Sequence, residues 1–175
     1  MSCNITQGRA LPCKDGIGGI KNVYFANYGA ISVSEGVDDS IAGTEFTGDQ
    51  FYKYDINNGV SSLTQNIQSS RENGTTAFEQ VLELTLPRLS AADNLEVKLL
   101  AFGRPHIVVE DYNGNFWLVG KENGADVTGG SIVTGAAMGD LAGYTLTFTA
   151  VERKPANAIT GTAGTDSFLD TATIS

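Results

Sequence analysis

Histidine occurs once in the 175 residues and cysteine twice, too few donors for a structural zinc site with four Cys or His ligands. Basic residues are also scarce: 11 Lys and Arg stand against 20 Asp and Glu, a formal charge of −9. Such a surface repels nucleic acid and anionic membranes. No apolar stretch approaches the ~20 residues of a spanning helix, and the N-terminus lacks a basic region followed by an apolar run. The expectation is therefore a protein made in the cytoplasm, soluble and without membrane contact. On that expectation Asn4-Ile5-Thr6 and Asn73-Gly74-Thr75 are chance sequons, and Cys3 and Cys13 are free thiols. Nucleophile-elbow, HExxH and paired-cysteine motifs are missing as well, so neither an enzyme nor a cofactor is expected.

Patterns that resemble sites do not meet their own spacing rules. Gly16-Ile-Gly-Gly-Ile-Lys21 lacks the Gly-Lys-Ser/Thr of a phosphate loop before a helix, and it leads into the strand-like Val23-Tyr-Phe-Ala26. Asp111, Asn113, Asn115 and Glu122 fall at positions 1, 3, 5 and 12 of a calcium loop, yet Phe116 stands at position 6, where the bend needs glycine. A plain hairpin turn explains them without a metal. His106 has no partner identifiable from sequence. The neighbouring carboxylates Asp38-Asp39 and Glu110-Asp111 point to opposite faces if they lie in strands.

What the chain does have is glycine, 21 residues of it, and short alternating runs of β-branched and aromatic residues. Strands are expected at Ile20–Ala26, Ala30–Ser34 and Gln50–Ile56. Asn57-Asn58-Gly59 then suggests a hairpin into Val60–Ser69. In that return strand Leu63 and Ile67 share the core face, while Thr64, Asn66 and Gln68 line the other. Thr76–Leu86 alternates again, with Phe78, Leu82, Leu84 and Leu86 opposed to Glu79, Val81, Glu83 and Thr85. Pro87 ends it. Ser90 with Asp93 reads as a helix start, Leu95, Leu99 and Phe102 as one apolar stripe, and Gly103 with Pro105 as the stop. His106–Tyr112 and Asn115–Gly120 flank Asn113-Gly114, a strong hairpin signal. Residues 123–143 read as a long glycine-rich loop, apart from a short strand at Ser131–Thr134. Tyr144–Val151 is a strand with Tyr144, Leu146, Phe148 and Ala150 inward. Beyond Pro155 the tail has few anchors. The expected organisation is one β-rich domain over 1–155 with a single central helix, followed by a flexible tail over 156–175.

Three stretches carry a family resemblance: the Cys3-to-Cys13 segment running into Gly18-Gly19-Ile20-Lys21-Asn22-Val23-Tyr24, the Leu-rich strand with its helix, and Met138-Gly-Asp-Leu-Ala-Gly-Tyr-Thr-Leu-Thr-Phe-Thr149 with Glu152 and Pro155. In this order of elements the chain resembles the tail tube proteins of tailed bacteriophages. The resemblance implies a β-sandwich or barrel-like subunit in hexameric rings, stacked with other phage tail proteins into a hollow tube that the genome passes through. It implies a virion localisation. An acidic bore agrees with this, since a basic one would hold phosphates through counterion release. Cys3 and Cys13 are then small packing residues of a lead-in segment. The candidate lumen face is Thr64, Asn66, Gln68, Glu79 and Glu83. A head–tail connector, terminator or decoration protein is the alternative within a virion. Aromatic residues with Asp/Asn-rich turns leave a carbohydrate-binding β-sandwich open.

Overall fold

Alternating apolar and polar positions build most of this chain into strands, and the computed structural model, which describes residues 8–11, 13–36, 38–56, 59–161, 165 and 167–175, is mainly β. In order come β1 (Ile20–Ala26), β2 (Ile41–Ala42), a 3₁₀ turn (Gly43–Phe46), β3 (Gln50–Asp55), β4 (Ser62–Ser70), β5 (Thr75–Pro87), α1 (Ala91–Phe102), β6 (His106–Asp111), β7 (Phe116–Val119), β8 (Asp126–Val133), β9 (Gly143–Glu152), β10 (Asn157–Thr160), α2 (Phe168–Thr171) and β11 (Thr173–Ile174). They form a seven-stranded sheet, β11-β3-β1-β6-β7-β10-β2, and a four-stranded antiparallel sheet, β4-β5-β9-β8.

The two sheets share one apolar core. Val23 and Phe25 of β1, Ile107 and Val109 of β6 and Val119 of β7 meet Leu82 and Leu84 of β5 and Tyr144, Leu146 and Phe148 of β9. The opposite face of the large sheet is also covered. There Tyr24, Phe51, Val108 and Leu118 pack with Phe46 of the 3₁₀ turn and Phe168 of α2. Burial on both sides explains why β1 and β6 read as nearly continuous apolar runs instead of alternating ones.

Several expectations hold to the residue. β1 has the expected bounds, and β9 buries the four expected side chains. The helix starts on Ser90, whose Oγ accepts from Asp93 N at 3.0 Å. β6 and β7 pair as the expected hairpin, with Gly114 at φ +80° in the turn, a conformation that favours glycine.

Others are corrected. β3 does not form a hairpin with β4: it pairs with β1 and β11 in the large sheet, while β4 pairs with β5. The reason lies in its two faces, since Phe51 is buried in one core while Ile56, just past the strand, is buried in the other. Asn57 and Asn58 of the expected turn lie outside the described residues. Residues 30–34 run without regular structure. Of the two residues assigned to the core face of β4, Leu63 packs on it but Ile67 is 69% exposed, because β4 is an edge strand and only its Leu63 end meets the core.

The glycine-rich segment contains a strand, β8, paired with β9 over Asp126–Val133, longer than the expected Ser131–Thr134. One of its two glycines is a steric requirement, since a Cβ on Gly130 would collide with the Thr145 carbonyl. The tail is likewise anchored: β10 joins β7 and β2, β11 joins β3, and Phe168 is 1% exposed. The stripe of Leu95, Leu99 and Phe102 faces solvent, whereas Val97 is buried and Leu100 packs on the core.

Candidate functional site

Strand pairing places all five candidate lumen residues on one surface, the outer face of the four-stranded sheet. Ser62 lies opposite Glu83, Thr64 opposite Val81, Asn66 opposite Glu79 and Gln68 opposite Ala77. Directly opposed residues project to the same side, and their partners fill the core. Thr64, Asn66, Gln68 and Glu83 are exposed and Glu79 is half-buried. Asn66 Nδ2 donates to Glu79 Oε2 at 3.3 Å.

The face continues across β9 and β8. Glu83 lies opposite Thr147, Val81 opposite Thr149 and Thr85 opposite Thr145, and Thr145 in turn opposes Ser131. Thr128 and Thr149 share a hydroxyl hydrogen bond of 2.9 Å. No Lys or Arg occurs in β4, β5, β8 or β9; Arg71, Arg88 and Arg153 lie just past strand ends. The result is a wide sheet surface of hydroxyls and amides with sparse carboxylates, a few small apolar residues (Ala77, Val81 and the half-exposed Val151) and no cation from the four strands. Sequence reasoning missed the β8 share of it, because a Gly-Gly pair interrupts the alternation of that strand.

Other polar clusters serve the fold. Glu110, 3% exposed, accepts from Lys21 Nζ (2.7 Å), Asn22 Nδ2 (2.6 Å) and Tyr24 OH (2.8 Å). Lys21 reaches it from a register shift between Ile20 and Asn22. Burial acts to raise the Glu110 carboxyl, but the three donors outweigh it and hold it below the ordinary value. Burial, with Glu110 beside it, pushes the Tyr24 phenol up. Lys121 and Lys154 grip Glu35 at 2.7 and 2.6 Å and hold its carboxyl down at about 2, and Lys154 also reaches Asp39 at 2.6 Å. This network ties the segment after β1 to the segment before β10.

His106 is buried with both ring nitrogens bonded to backbone: Nδ1 donates to the Gly120 carbonyl at 2.7 Å, and Nε2 accepts from Gly29 N at 3.1 Å. Burial lowers its proton affinity, partly offset by the Gly120 bond. Tyr28 stacks on the ring at 5.3 Å, and the Arg104 guanidinium lies 5.1 Å from the Tyr28 ring centre.

The calcium-loop pattern is a turn. Asp111 Oδ1 accepts from the amides of Asn113 and Asn115 at 2.8 and 2.9 Å. Glu122 stands in the turn beyond the far end of β7, its amide bonded to Glu152. Among the described residues no group of three or more His, Cys, Asp or Glu is placed to hold a metal ion. Among them, too, no helix is long and apolar enough to cross a membrane. Cys13 is exposed, which corrects its expected packing role, and Cys3 lies outside the described residues.

Comparison with protein-family models, curated proteins and solved structures gives no match.

Proposed function

We propose that this chain is the repeating subunit of a bacteriophage tail tube, a virion structural protein synthesised in the host cytoplasm. Its subunits close into rings, taken as hexameric from the resemblance, and the rings stack into a hollow conduit for the genome. The observation that carries the reading is the outer face of the four-stranded sheet, whose strands carry no cation and whose polar residues are interrupted only by small apolar ones such as Ala77, Val81 and Val151. DNA binding strengthens with each phosphate neutralised, log K falling by about 0.9 per log unit of salt for each contact. A bore that transports DNA without retaining it must avoid such contacts, and a Thr/Ser/Asn/Gln surface with Glu79, Glu83 and Asp126 does so.

The edges of that sheet support assembly. Among the described residues β4 and β8 each have one side without a strand partner, and β4 carries none of the Lys or Pro residues that block edge pairing. Directions alternate through β4, β5, β9 and β8. In a cyclic ring, where all copies share one orientation, the β8 edge therefore meets the next β4 antiparallel. The sheets fuse without breaking the alternation, and the two layers of each subunit act as a sandwich-like wall.

Negative-stain microscopy of the purified protein tests the proposal. Long hollow tubes are expected; closed rings that never stack point to a connector or terminator, and permanent monomers overturn the reading. A carbohydrate-binding role has one observation in its favour, the half-exposed rings of Tyr28 and Tyr52 beside a cleft. It predicts monomers that retain glycans on a column.

A further inference from the structure

Among the described residues an exposed arm lies at one end of β1 and an open, largely apolar cleft at the other. Residues 8–19 are exposed at every described position; Leu11 is 97% and Ile17 64% exposed. The segment is fixed near its root, where Ile17 N donates to Asn113 Oδ1 at 2.9 Å and Asn113 Nδ2 donates to the Ile17 carbonyl at 2.6 Å. The cleft, about 350 Å³, lies between α1 and the ends of β1 and β3, with Phe25, Tyr28, Tyr52, Tyr54, Leu99 and Leu100 on its walls. Leu99 is 55% exposed and Phe102, a turn further on, 81%. A lone exposed leucine needs no explanation, but a helix stripe continuous with an aromatic cleft marks an interaction surface.

We infer that Leu11 of one copy inserts into this cleft on the next copy, so that the arm and the α1 face form a head-to-tail contact between subunits. The inference deepens the tube reading and rests on it for the identity of the partner. Topology supplies the direction. The arm leaves β1 at Ile20, paired with Asp111, while the cleft lies at the Ala26 end, paired with His106. These points are about 20 Å apart along the strand. Leu11 stands six residues from the fixed Ile17, a maximum reach of roughly 20 Å. Its own cleft is thus at the limit of that reach, whereas a copy placed end to end presents the cleft next to the arm. A contact between two different patches is heterologous and propagates along an axis, as stacking requires.

Charge agrees. Arg9 and Lys14 against Asp15 make the arm a net cationic stretch of a chain whose total is −9. The cleft offers Glu96 on its wall, and Asp93 and Glu96 both act on the Tyr54 hydroxyl. The cleft's own cation, Arg104, is engaged over Tyr28 and is opposite in sign to the arm's Asp15.

Cross-linking of the full chain tests the contact. In a Cys3→Ser background the native Cys13 thiol is oxidised mildly against Leu99→Cys or, as a second probe, Tyr52→Cys. Disulfide-linked dimers and longer ladders containing Cys13 are expected, reduced at least tenfold by Leu11→Asp. Asn66→Cys, on the outer face of the other sheet, should give no such link to Cys13. By microscopy Leu11→Asp should leave rings and remove stacks. A bridge formed within one chain, no bridge from either probe, or unaltered stacks in Leu11→Asp overturns the inference while leaving the tube reading in place. If the wild type forms neither rings nor tubes, the tube reading fails, and an inter-chain bridge still decides whether the arm binds the cleft.

Discussion

Phe168→Ala removes the side chain that closes the second core. Its ring centre lies 4.9 Å from Phe51, 5.2 Å from Tyr24, 5.3 Å from Phe46 and 5.5 Å from Phe116. It is 1% exposed, on a helix of only four residues that has little stability of its own. Phe→Ala in a packed core costs about 3–5 kcal/mol. The upper half of that range applies here, because four aromatic neighbours lose contacts that are each worth ~0.5–1.5 kcal/mol beyond area. For a chain of this size each kcal/mol moves Tm by about 2–4 °C, so calorimetry should show a fall of roughly 8–20 °C. Limited proteolysis should clip the variant within residues 161–175 before the β5–β9 region. Leu169→Ala, 44% exposed on the same turn, should move Tm by no more than about 2 °C. A Phe168→Ala protein with wild-type Tm and protease resistance would refute the claim that the C-terminal segment is part of the core.

Acid should destabilise the protein through His106. The folded imidazole binds a proton less readily than the ordinary value of 6.5, so the unfolded chain takes up the proton first. Stability is then full above about pH 6.5 and lost as pH falls through it, each tenfold difference in proton affinity contributing about 1.4 kcal/mol. Thermal melts between pH 8 and 5 should show this slope, and His106→Gln should flatten it. Tyr24→Phe removes one of the three donors to Glu110 and should cost about 1–3 kcal/mol by urea denaturation, while Glu110→Ala, which leaves Lys21 and two buried donors unmatched, should cost about 3–5 kcal/mol. Glu79→Lys with Glu83→Lys should leave tubes intact but make them retain DNA at low salt and release it as salt rises. Normal release at every salt concentration would remove these residues from the bore.

Much of this fold was legible because local signals agreed with the tertiary outcome. β5 and β9 face the core on one side only, so strict alternation revealed them, and Ser90 with Asp93 marked the helix start directly. Failures occurred where burial was not one-sided. β3 contributes Phe51 to one core and Tyr54 to the other, and the aromatic residues on both of its faces were the available signal that it sits inside a covered sheet. β8 was hidden because an edge strand with two glycines has little side chain to pattern, although one of them, Gly130, is where its neighbour's backbone comes close. The tail was misjudged from average composition, which cannot register a few well-placed anchors such as Ile159 in β10 and Phe168 in α2. The candidate face was legible strand by strand. Its extent was not, since only pairing shows that β4, β5, β9 and β8 form one cation-free surface.

The central claim is that this surface lines a bore, and thiol accessibility tests it most directly. In a Cys3→Ser, Cys13→Ser background, a single cysteine at Thr64 is compared with one at Lys98, which is exposed on α1. Both are treated with a small maleimide and with a polymer-tagged maleimide too large to enter a tube. In dissociated subunits both sites should react with both reagents. In intact tubes the account predicts that Thr64→Cys reacts with the small reagent and loses at least ten-fold in rate with the large one, while Lys98→Cys remains open to the small reagent outside the bore and to the large one wherever no neighbour covers it. Equal labelling of Thr64→Cys by the polymer reagent in tubes and in free subunits would place the face on the outside and contradict the account.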